Sequence, residues 1–257
     1  SEQDRPSDTR SNIHANETES QPQQWNTWRS YAGNVDSSQY SSLSQINKEN
    51  VSELKVAWTF QMGETTGKSG PIVIDDTMYL TANGGIAALD AATGVQQWFA
   101  PDMMTEGLRG LAYWESGDKT DRRLLFTRGQ YLGAINADTG EVITSFGDGG
   151  WIDLRLGLGR SANTMTTVAS LSPGRVFKNL IILGSSVGDL RYGAAPGDIR
   201  AFDVRSGTLA WVFHTIPHPG EFGYDTWPVD AWKTVGGANA WSTLSIDEPR
   251  GIVYIPT

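Results

Sequence analysis

The chain has 257 residues, with 20 lysine and arginine residues against 29 aspartate and glutamate residues, so its formal net charge is −9. An acidic chain without a basic block lacks the clustered positive field that a nucleic acid or an anionic membrane surface requires, and we exclude those partners. No cysteine is present, which excludes disulfides and cysteine-based nucleophiles or metal sites. No apolar run approaches the roughly 18 residues of a membrane span, so we expect none in this chain.

Residues 1–24 form a polar N-terminal tail. Their only large apolar side chain is Ile13, which cannot bury enough surface to offset the entropy of ordering the segment. We expect this tail to be disordered and the folded part to span residues 25–257. In that part, the high counts of 10 tryptophans and 29 glycines favour short strands and tight turns.

A short element recurs three times after the tail, at residues 88–94, 134–140 and 201–207. In each copy an apolar pair leads into Asp or Asn, which is followed four positions later by glycine. An Asp or Asn side chain can close a turn and glycine can adopt positive φ, so the element predicts a β-hairpin. The aromatic residues Trp98, Phe146 and Trp211 follow the three glycines and are expected to return on the next strand and pack between sheets. Segments around Trp58 and Trp241 extend the series.

The spacing of these elements predicts an all-β fold, a β-propeller of four-stranded blades docked by tryptophans. Strand-like runs occupy residues 70–74, 77–80, 123–127 and 179–183, and helical periodicity is almost absent. The turn glycines lie 46 and 67 residues apart, which fits a blade of about 40 to 50 residues with an insertion in the second interval. About four to five blades would fit in the chain. Because the sequence stops within a strand-like run at residues 253–257, we expect either a small propeller or the N-terminal part of a larger one.

Two other kinds of site find little support in the sequence. His214, His218 and Glu221 have the spacing of ligands on one helix face, as in zinc hydrolases, but Pro217 and Pro219 would break that helix. The glycine cluster at residues 147–159 has no strand–loop–helix context for a phosphate site, and no nucleophile elbow is present.

The most specific signal is an ordered set of motifs at residues 28–33, 40–51, 109–114, 184–189, 213–227 and 236–241. Together with the repeated turns, this set resembles the pyrroloquinoline-quinone (PQQ)-dependent dehydrogenases, the eight-bladed quinoprotein propellers that oxidise alcohols, polyols and aldose sugars. The segment at residues 213–227 looks more like the glucose and polyol branch than the methanol branch.

The resemblance implies four site residues. Trp241 looks like the tryptophan on which the quinone stacks, and Arg109 like the arginine that reaches the reactive carbonyl. Ser186 would donate to the carboxylates of the cofactor, and Asp189 would be an acidic ligand of the calcium ion. The alternatives are a blade-docking role for Trp241, a surface ion pair for Arg109 and a simple turn at Asp189.

The chain also departs from the pattern of this family. Met103 and Met104 stand where the alcohol-oxidising branch has two adjacent cysteines. Lys68 stands near a position that is often acidic, and Leu171 near one that is often a threonine donor to the cofactor. A further calcium ligand and the general-base aspartate would lie beyond Thr257, so we expect this chain alone to be inactive.

The resemblance therefore implies part of a PQQ- and calcium-dependent dehydrogenase that transfers a hydride from a sugar, polyol or alcohol to the quinone. Electrons would pass to a quinone pool or a cytochrome, and the location would be periplasmic or otherwise extracytoplasmic. The alternative is a non-catalytic propeller that serves as a scaffold in the cell envelope, and a degenerate enzyme is a third possibility. Convergence of Arg109, Asp189 and Trp241 on one axial pocket would favour the enzyme.

Overall fold

The computed structural model describes residues 26–63, 69–103, 109–165, 167–188 and 193–257, which fold almost entirely into β-structure. The predicted tail lies outside this range. The strands are β1 (Ile72–Ile74), β2 (Thr77–Ala82), β3 (Gly85–Asp90), β4 (Gln96–Ala100), β5 (Ala112–Glu115), β6 (Arg122–Arg128), β7 (Tyr131–Asn136), β8 (Trp151–Asp153), β9 (Arg175–Phe177), β10 (Leu180–Leu183), β11 (Ile199–Asp203), β12 (Leu209–Phe213), β13 (Ser245–Asp247) and β14 (Ile252–Tyr254). One short helix, α1 (Ala231–Thr234), and 3₁₀ turns at Val51–Glu53, Ala162–Thr164 and Tyr224–Thr226 complete the described elements. None of the described helices is long and apolar enough to cross a membrane.

The strands form consecutive antiparallel sheets in chain order. Strands β1–β4, β5–β8 and β9–β12 make three four-stranded sheets, and β13 and β14 make a two-stranded one. We call these sheets blades 1 to 4. Each blade is completed before the next begins, which is the arrangement of a propeller. The predicted all-β architecture is confirmed, with about four blades.

The hairpin turns have the predicted chemistry. Asp90 Oδ1 accepts hydrogen bonds from the backbone N–H groups of Ala92 (3.1 Å) and Thr93 (2.8 Å), and Gly94 has φ +72°. The same side-chain closure occurs at Asn136 and Asp203. The recurring sequence element therefore encodes one local structure.

Two of these turns receive a tryptophan from the preceding segment. Trp58 Nε1 donates to Ala91 O (3.2 Å), and Trp98 Nε1 donates to Ala137 O (3.1 Å). The indoles lie so close to the turn glycines that a Cβ at Gly94 or Gly140 would come within 2.5 or 2.7 Å of a ring carbon. These glycines thus provide both positive φ and space for the docked ring.

The junction between blades 2 and 3 lacks the expected strand-borne aromatic. Phe146 is fully buried but lies in a turn, and the outer strand begins only at Trp151. The backbone of Gly147 approaches the next blade instead, and its N–H donates to Ser206 O (2.9 Å). Phe146 does pack in the core between blades 2 and 3, as predicted, but from a turn and not from the next strand, because the intervening turn displaces that strand from its usual distance after Gly140.

Residues 28–37, which we call the axial segment, contact all four blades. The contacts are a hydrogen bond from Val73 N in β1 to Trp28 O (2.9 Å), an ion pair between Arg29 and Glu115 in β5 (2.8 Å), a hydrogen bond from Arg175 in β9 to Tyr31 O (2.9 Å) and one from Ile246 N in β13 to Val35 O (2.9 Å). The first strand of each blade is therefore the inner strand. We call the space along these four inner strands, beside the axial segment, the axial channel, and the end at which the strands begin its upper end.

Arg175 fixes the axial segment in place. Its side chain is 1% exposed, and it donates to Leu244 O (2.8 Å), Ser30 Oγ (2.6 Å), Tyr31 O (2.9 Å) and Ser37 Oγ. Burial lowers the pKa of this guanidinium to about 10, so it remains charged at neutral pH. One cation, each of whose three nitrogens donates a hydrogen bond, thus joins blade 3, the start of blade 4 and the axial segment.

Candidate functional site

The upper end of the axial channel carries a set of equivalent positions. Ser69, Arg109 and Ser172 each lie three residues before an inner strand, those of blades 1, 2 and 3 respectively. Trp241 lies four residues before β13. Because the blades repeat one unit around an axis, these four side chains lie at the same end of the channel.

Arg109 and Trp241, two of the predicted site residues, are neighbours. The guanidinium carbon of Arg109 lies 5.8 Å from the centroid of the Trp241 ring. Trp241 is 52% exposed, so its ring is not buried between blades as a docking tryptophan is. Gly110, beside Arg109, has φ +101°, and a Cβ there would come within 2.7 Å of Gly70 O. The loops before β1 and β5 therefore approach each other closely at this end.

Ser186, the third predicted residue, lies in the loop after β10 at the same end. Its backbone exchanges hydrogen bonds with Ala169 (2.6 and 3.0 Å). The neighbouring Ser185 is 2% exposed, and its carbonyl accepts a hydrogen bond from Asn239 Nδ2 (2.8 Å). Asn239 thereby links this loop to the one that carries Trp241. Sequence reasoning did not single out Ser185 or Asn239, although both lie within the motifs it used.

Several predicted positions fall outside the described residues. Asp189, the proposed metal ligand, is one, and Lys68 and Met104 are others. Met103 is described and packs against the core between blades 1 and 2. Within the described residues, no group of three or more His, Asp or Glu side chains could hold a metal ion.

Leu171 lies between two serines whose side chains are buried. Ser170 Oγ donates to Ser172 O (2.9 Å), whereas Ser172 Oγ has no partner among the described residues. An unpaired hydroxyl therefore lies next to Leu171, at the position equivalent to Arg109.

His214 and His218, which have the sequence spacing of zinc ligands on a helix, are not on a helix. Their rings stack with centroids 3.6 Å apart at 11°, and His214 Nδ1 lies 2.8 Å from Glu221 Oε1. The same carboxylate accepts the backbone N–H of His218 (2.7 Å). These contacts close a loop between β12 and β13.

Unpaired polar atoms are concentrated at the upper end of the channel. Of the eight buried side-chain nitrogen and oxygen atoms without a partner in the described residues, four belong to Ser69, Arg109, Ser172 and Ser185. A buried polar atom left unpaired costs about 1–3 kcal/mol, so such a concentration indicates a place where a ligand completes the hydrogen bonds. All four groups can donate, and one of them is a cation. The arrangement therefore suits an acceptor-rich, anionic ligand with a flat ring that stacks on Trp241.

The fold and this site define a β-propeller with a donor-lined axial site at the start of its inner strands. A family model described as the β-propeller domain of PQQ-type glucose/ethanol/alcohol dehydrogenases matches residues 28–257. The chain belongs to this family.

Curated relatives and solved structures agree with this assignment. Quinoprotein glucose dehydrogenase A of Acinetobacter calcoaceticus is 32% identical over 268 residues, which cover 90% of this chain and 32% of the relative. The quinoprotein glucose dehydrogenase of Escherichia coli (strain K12) is 30% identical, covering 89% of this chain and 32% of that protein. A quinohemoprotein alcohol dehydrogenase from Comamonas testosteroni has the same fold, with a TM-score of 0.71 at 23% identity, over 91% of this chain and 35% of that one. The chain thus spans about a third of the length of these proteins.

Proposed function

We propose that the chain is part of a PQQ- and calcium-dependent dehydrogenase that oxidises a sugar, polyol or alcohol. The observation that carries this proposal is the pairing of an exposed Trp241 ring with the unpaired buried donors at the upper end of the channel. PQQ is a flat, fused-ring quinone with several carboxylates, so its shape and charge match this set of groups. When bound, it supplies the electrophilic quinone carbonyl that accepts a hydride.

Each residue then has a distinct part in binding and catalysis. Trp241 presents a flat apolar face for the fused rings. The hydroxyls of Ser69, Ser172 and Ser185, together with Ser186, would donate to the carboxylate oxygens of PQQ. Arg109 lies beside the Trp241 ring, and its unpaired Nη1 can donate to a quinone oxygen and stabilise the negative charge that develops there during hydride transfer.

Asp189 is proposed as an acidic ligand of the calcium ion. It comes three residues after Ser186 in the sequence, and we propose that the cation it binds lies near the carboxylate-binding hydroxyls. Oxygen ligands from a carboxylate and from the cofactor itself are the chemistry that Ca²⁺ prefers. The ion would polarise the quinone as a Lewis acid.

The finer features follow from family membership. Two relatives named quinoprotein glucose dehydrogenase support an aldose or polyol as substrate. We propose that the electrons pass to a quinone pool or a cytochrome and that the protein works outside the cytoplasm. The proximity of Arg109 to Trp241 favours the enzyme over the scaffold, because a scaffold has no need for an unpaired guanidinium beside an exposed indole.

Ligand-induced stabilisation of the full-length protein that contains this chain tests the proposal. Saturating PQQ with Ca²⁺ should raise its Tm, since a ligand that binds only the native state stabilises it by mass action. Trp241→Ala should remove most of that rise while leaving the Tm of the free protein nearly unchanged, because the ring is half exposed. Trp28→Ala, a change to another partly exposed indole in the axial segment, serves as the control and should keep the shift. No shift in the unsubstituted protein would contradict the proposal.

A further inference from the structure

A cavity lies at the rim of blade 2, lined by none of the residues of the axial site. Its volume is about 410 Å³, and Arg128, Tyr131, Asp148 and Trp151 line it. It is formed by the turn between β6 and β7 and by the start of the outer strand β8. Among the described residues, blades 1 and 3 flank blade 2 on its two sides. A volume of this size lies within the range of small-molecule sites.

The aromatic wall of this cavity is held in a fixed position. Trp151 pairs with Gly133 across β8 and β7, and a Cβ at Gly133 would come within 2.6 Å of the indole. The six-membered part of the indole therefore lies directly over this glycine. Phe126 contacts Trp151 edge-on at 5.4 Å and 85°, and Tyr131 contacts it at 6.5 Å and 78°. The wall is thus preformed and needs no reordering to receive a ligand.

The rim of the cavity carries one group of each charge. Arg128 and Asp148 are both exposed, and neither side chain forms a hydrogen bond or an ion pair with another described residue. Arg128 lies directly opposite Tyr131 in the pairing of β6 with β7. A donor and an acceptor are therefore available beside two aromatic rings.

We propose that this cavity is a peripheral saccharide-binding site. A pyranose ring has apolar C–H faces that pack on aromatic rings and hydroxyls at its edge that both donate and accept. Arg128 offers the donor and Asp148 the acceptor that such an edge requires. A quinone or another acceptor-only ring would be repelled by the Asp148 carboxylate and could use only Arg128. The site opens at the same end of blade 2 as Arg109, and it would hold sugar near the axial site without taking part in its chemistry.

The test uses methyl β-D-glucopyranoside, whose blocked anomeric position prevents oxidation there, and the full-length protein without PQQ. Saturation-transfer NMR should show contact with the glycoside, and the indole N–H signal that disappears in Trp151→Phe should shift on titration. The double variant Arg128→Gln/Asp148→Asn should weaken binding by about tenfold or more, because it replaces charged hydrogen-bond partners with neutral ones. Both side chains are exposed, so the variant should fold normally. Since the cofactor is left out, the result does not depend on the proposed dehydrogenase activity.

A matched control is Lys119→Gln/Asp225→Asn, which removes one exposed charge of each sign elsewhere and should bind like the unsubstituted protein. Tyr131→Ala supplies a second variant that removes part of the apolar wall and should also weaken binding. The proposal is overturned by an unshifted Trp151 signal up to about 50 mM glycoside, well above a weak millimolar affinity. It is equally overturned if the double variant binds as the control does, or if a benzoquinone shifts the signal and the glycoside does not.

Discussion

Arg175 and Arg109 belong to neighbouring layers of the same axial channel, yet their surroundings are opposite. Arg175 donates to four oxygens of blade 4 and the axial segment, whereas Arg109 Nη1 is buried without a partner among the described residues. The first arrangement is complete within the chain. The second has a desolvation cost that only an added acceptor can offset. The channel thus combines a closed structural layer with an open layer above it.

This difference gives a criterion for separating structural from ligand-binding polar residues in a propeller. A buried cation whose nitrogens all donate within the chain specifies how chain segments meet, and removing it leaves several acceptors unpaired. A cation with a buried nitrogen that has no acceptor contributes little to the free protein. Substitutions at the two arginines should therefore act on different measured quantities.

The largest expected effect is that of Arg175→Met. Methionine fills a similar volume but leaves the acceptors of Leu244, Ser30 and Ser37 without their donor. We expect the free energy of unfolding to fall by about 3–5 kcal/mol, measured by urea denaturation of the full-length protein. Arg250→Met, at an arginine with a highly exposed side chain, should cost less than about 1 kcal/mol. Equal losses of unfolding free energy in the two variants would show that Arg175 stabilises the fold no more than an exposed arginine does.

Arg109→Leu should behave in the opposite way. Removing an unpaired buried donor should leave the free energy of unfolding of the free protein unchanged or raise it by up to about 3 kcal/mol. The stabilisation by PQQ and Ca²⁺ should be strongly reduced, because the cation beside Trp241 is lost. A large destabilisation of the free protein would show that Arg109 is structural and would remove the distinction from Arg175.

A smaller effect is expected at Asp198, which is 4% exposed and, within the part of the chain that the structure describes, accepts only a backbone hydrogen bond from Thr215 (3.3 Å). Burial raises the pKa of this carboxyl, and nearby His214 partly opposes the shift. A raised folded-state pKa means that the carboxylate destabilises the fold increasingly as pH rises above the ordinary value for Asp, about 3.9. Asp198→Asn should therefore be more stable than the unsubstituted protein near neutral pH. The difference should vanish as pH falls below that value, as followed by Tm against pH, and a gain that grows on acidification would contradict the assignment.

The features that could be predicted from the sequence depend on contacts between residues that are close together in the chain. The turns at Asp90, Asn136 and Asp203 are closed by neighbours within three residues, so the recurring element was sufficient to place them. The docking of Trp98 could be predicted for the same reason, because its distance in sequence from the turn glycine Gly94 places the indole on the next strand. Phe146 shows the limit of this reasoning, since the turn after Gly140 delays the start of strand β8 to Trp151.

The axial layers could not be predicted in this way. Arg175 binds Ser30 across 145 residues of sequence, and nothing near either residue indicates the partnership. Arg109 and Trp241 were found only through family motifs. Ser69 and Ser172 were missed because serine is common and their equivalence appears only when the inner strands are aligned in space.

The axial segment also has a consequence for how the chain acquires its structure during synthesis. Ser37 donates to Leu244 O across 207 residues, and Val35 accepts from Ile246 N. At about 5–20 residues per second, the ribosome needs roughly ten seconds or more to expose these partners after the segment has emerged. Each blade can form its local hairpins in the meantime, because its contacts are close in sequence. The earliest described part of the chain to be made is thus among the last to reach its native contacts.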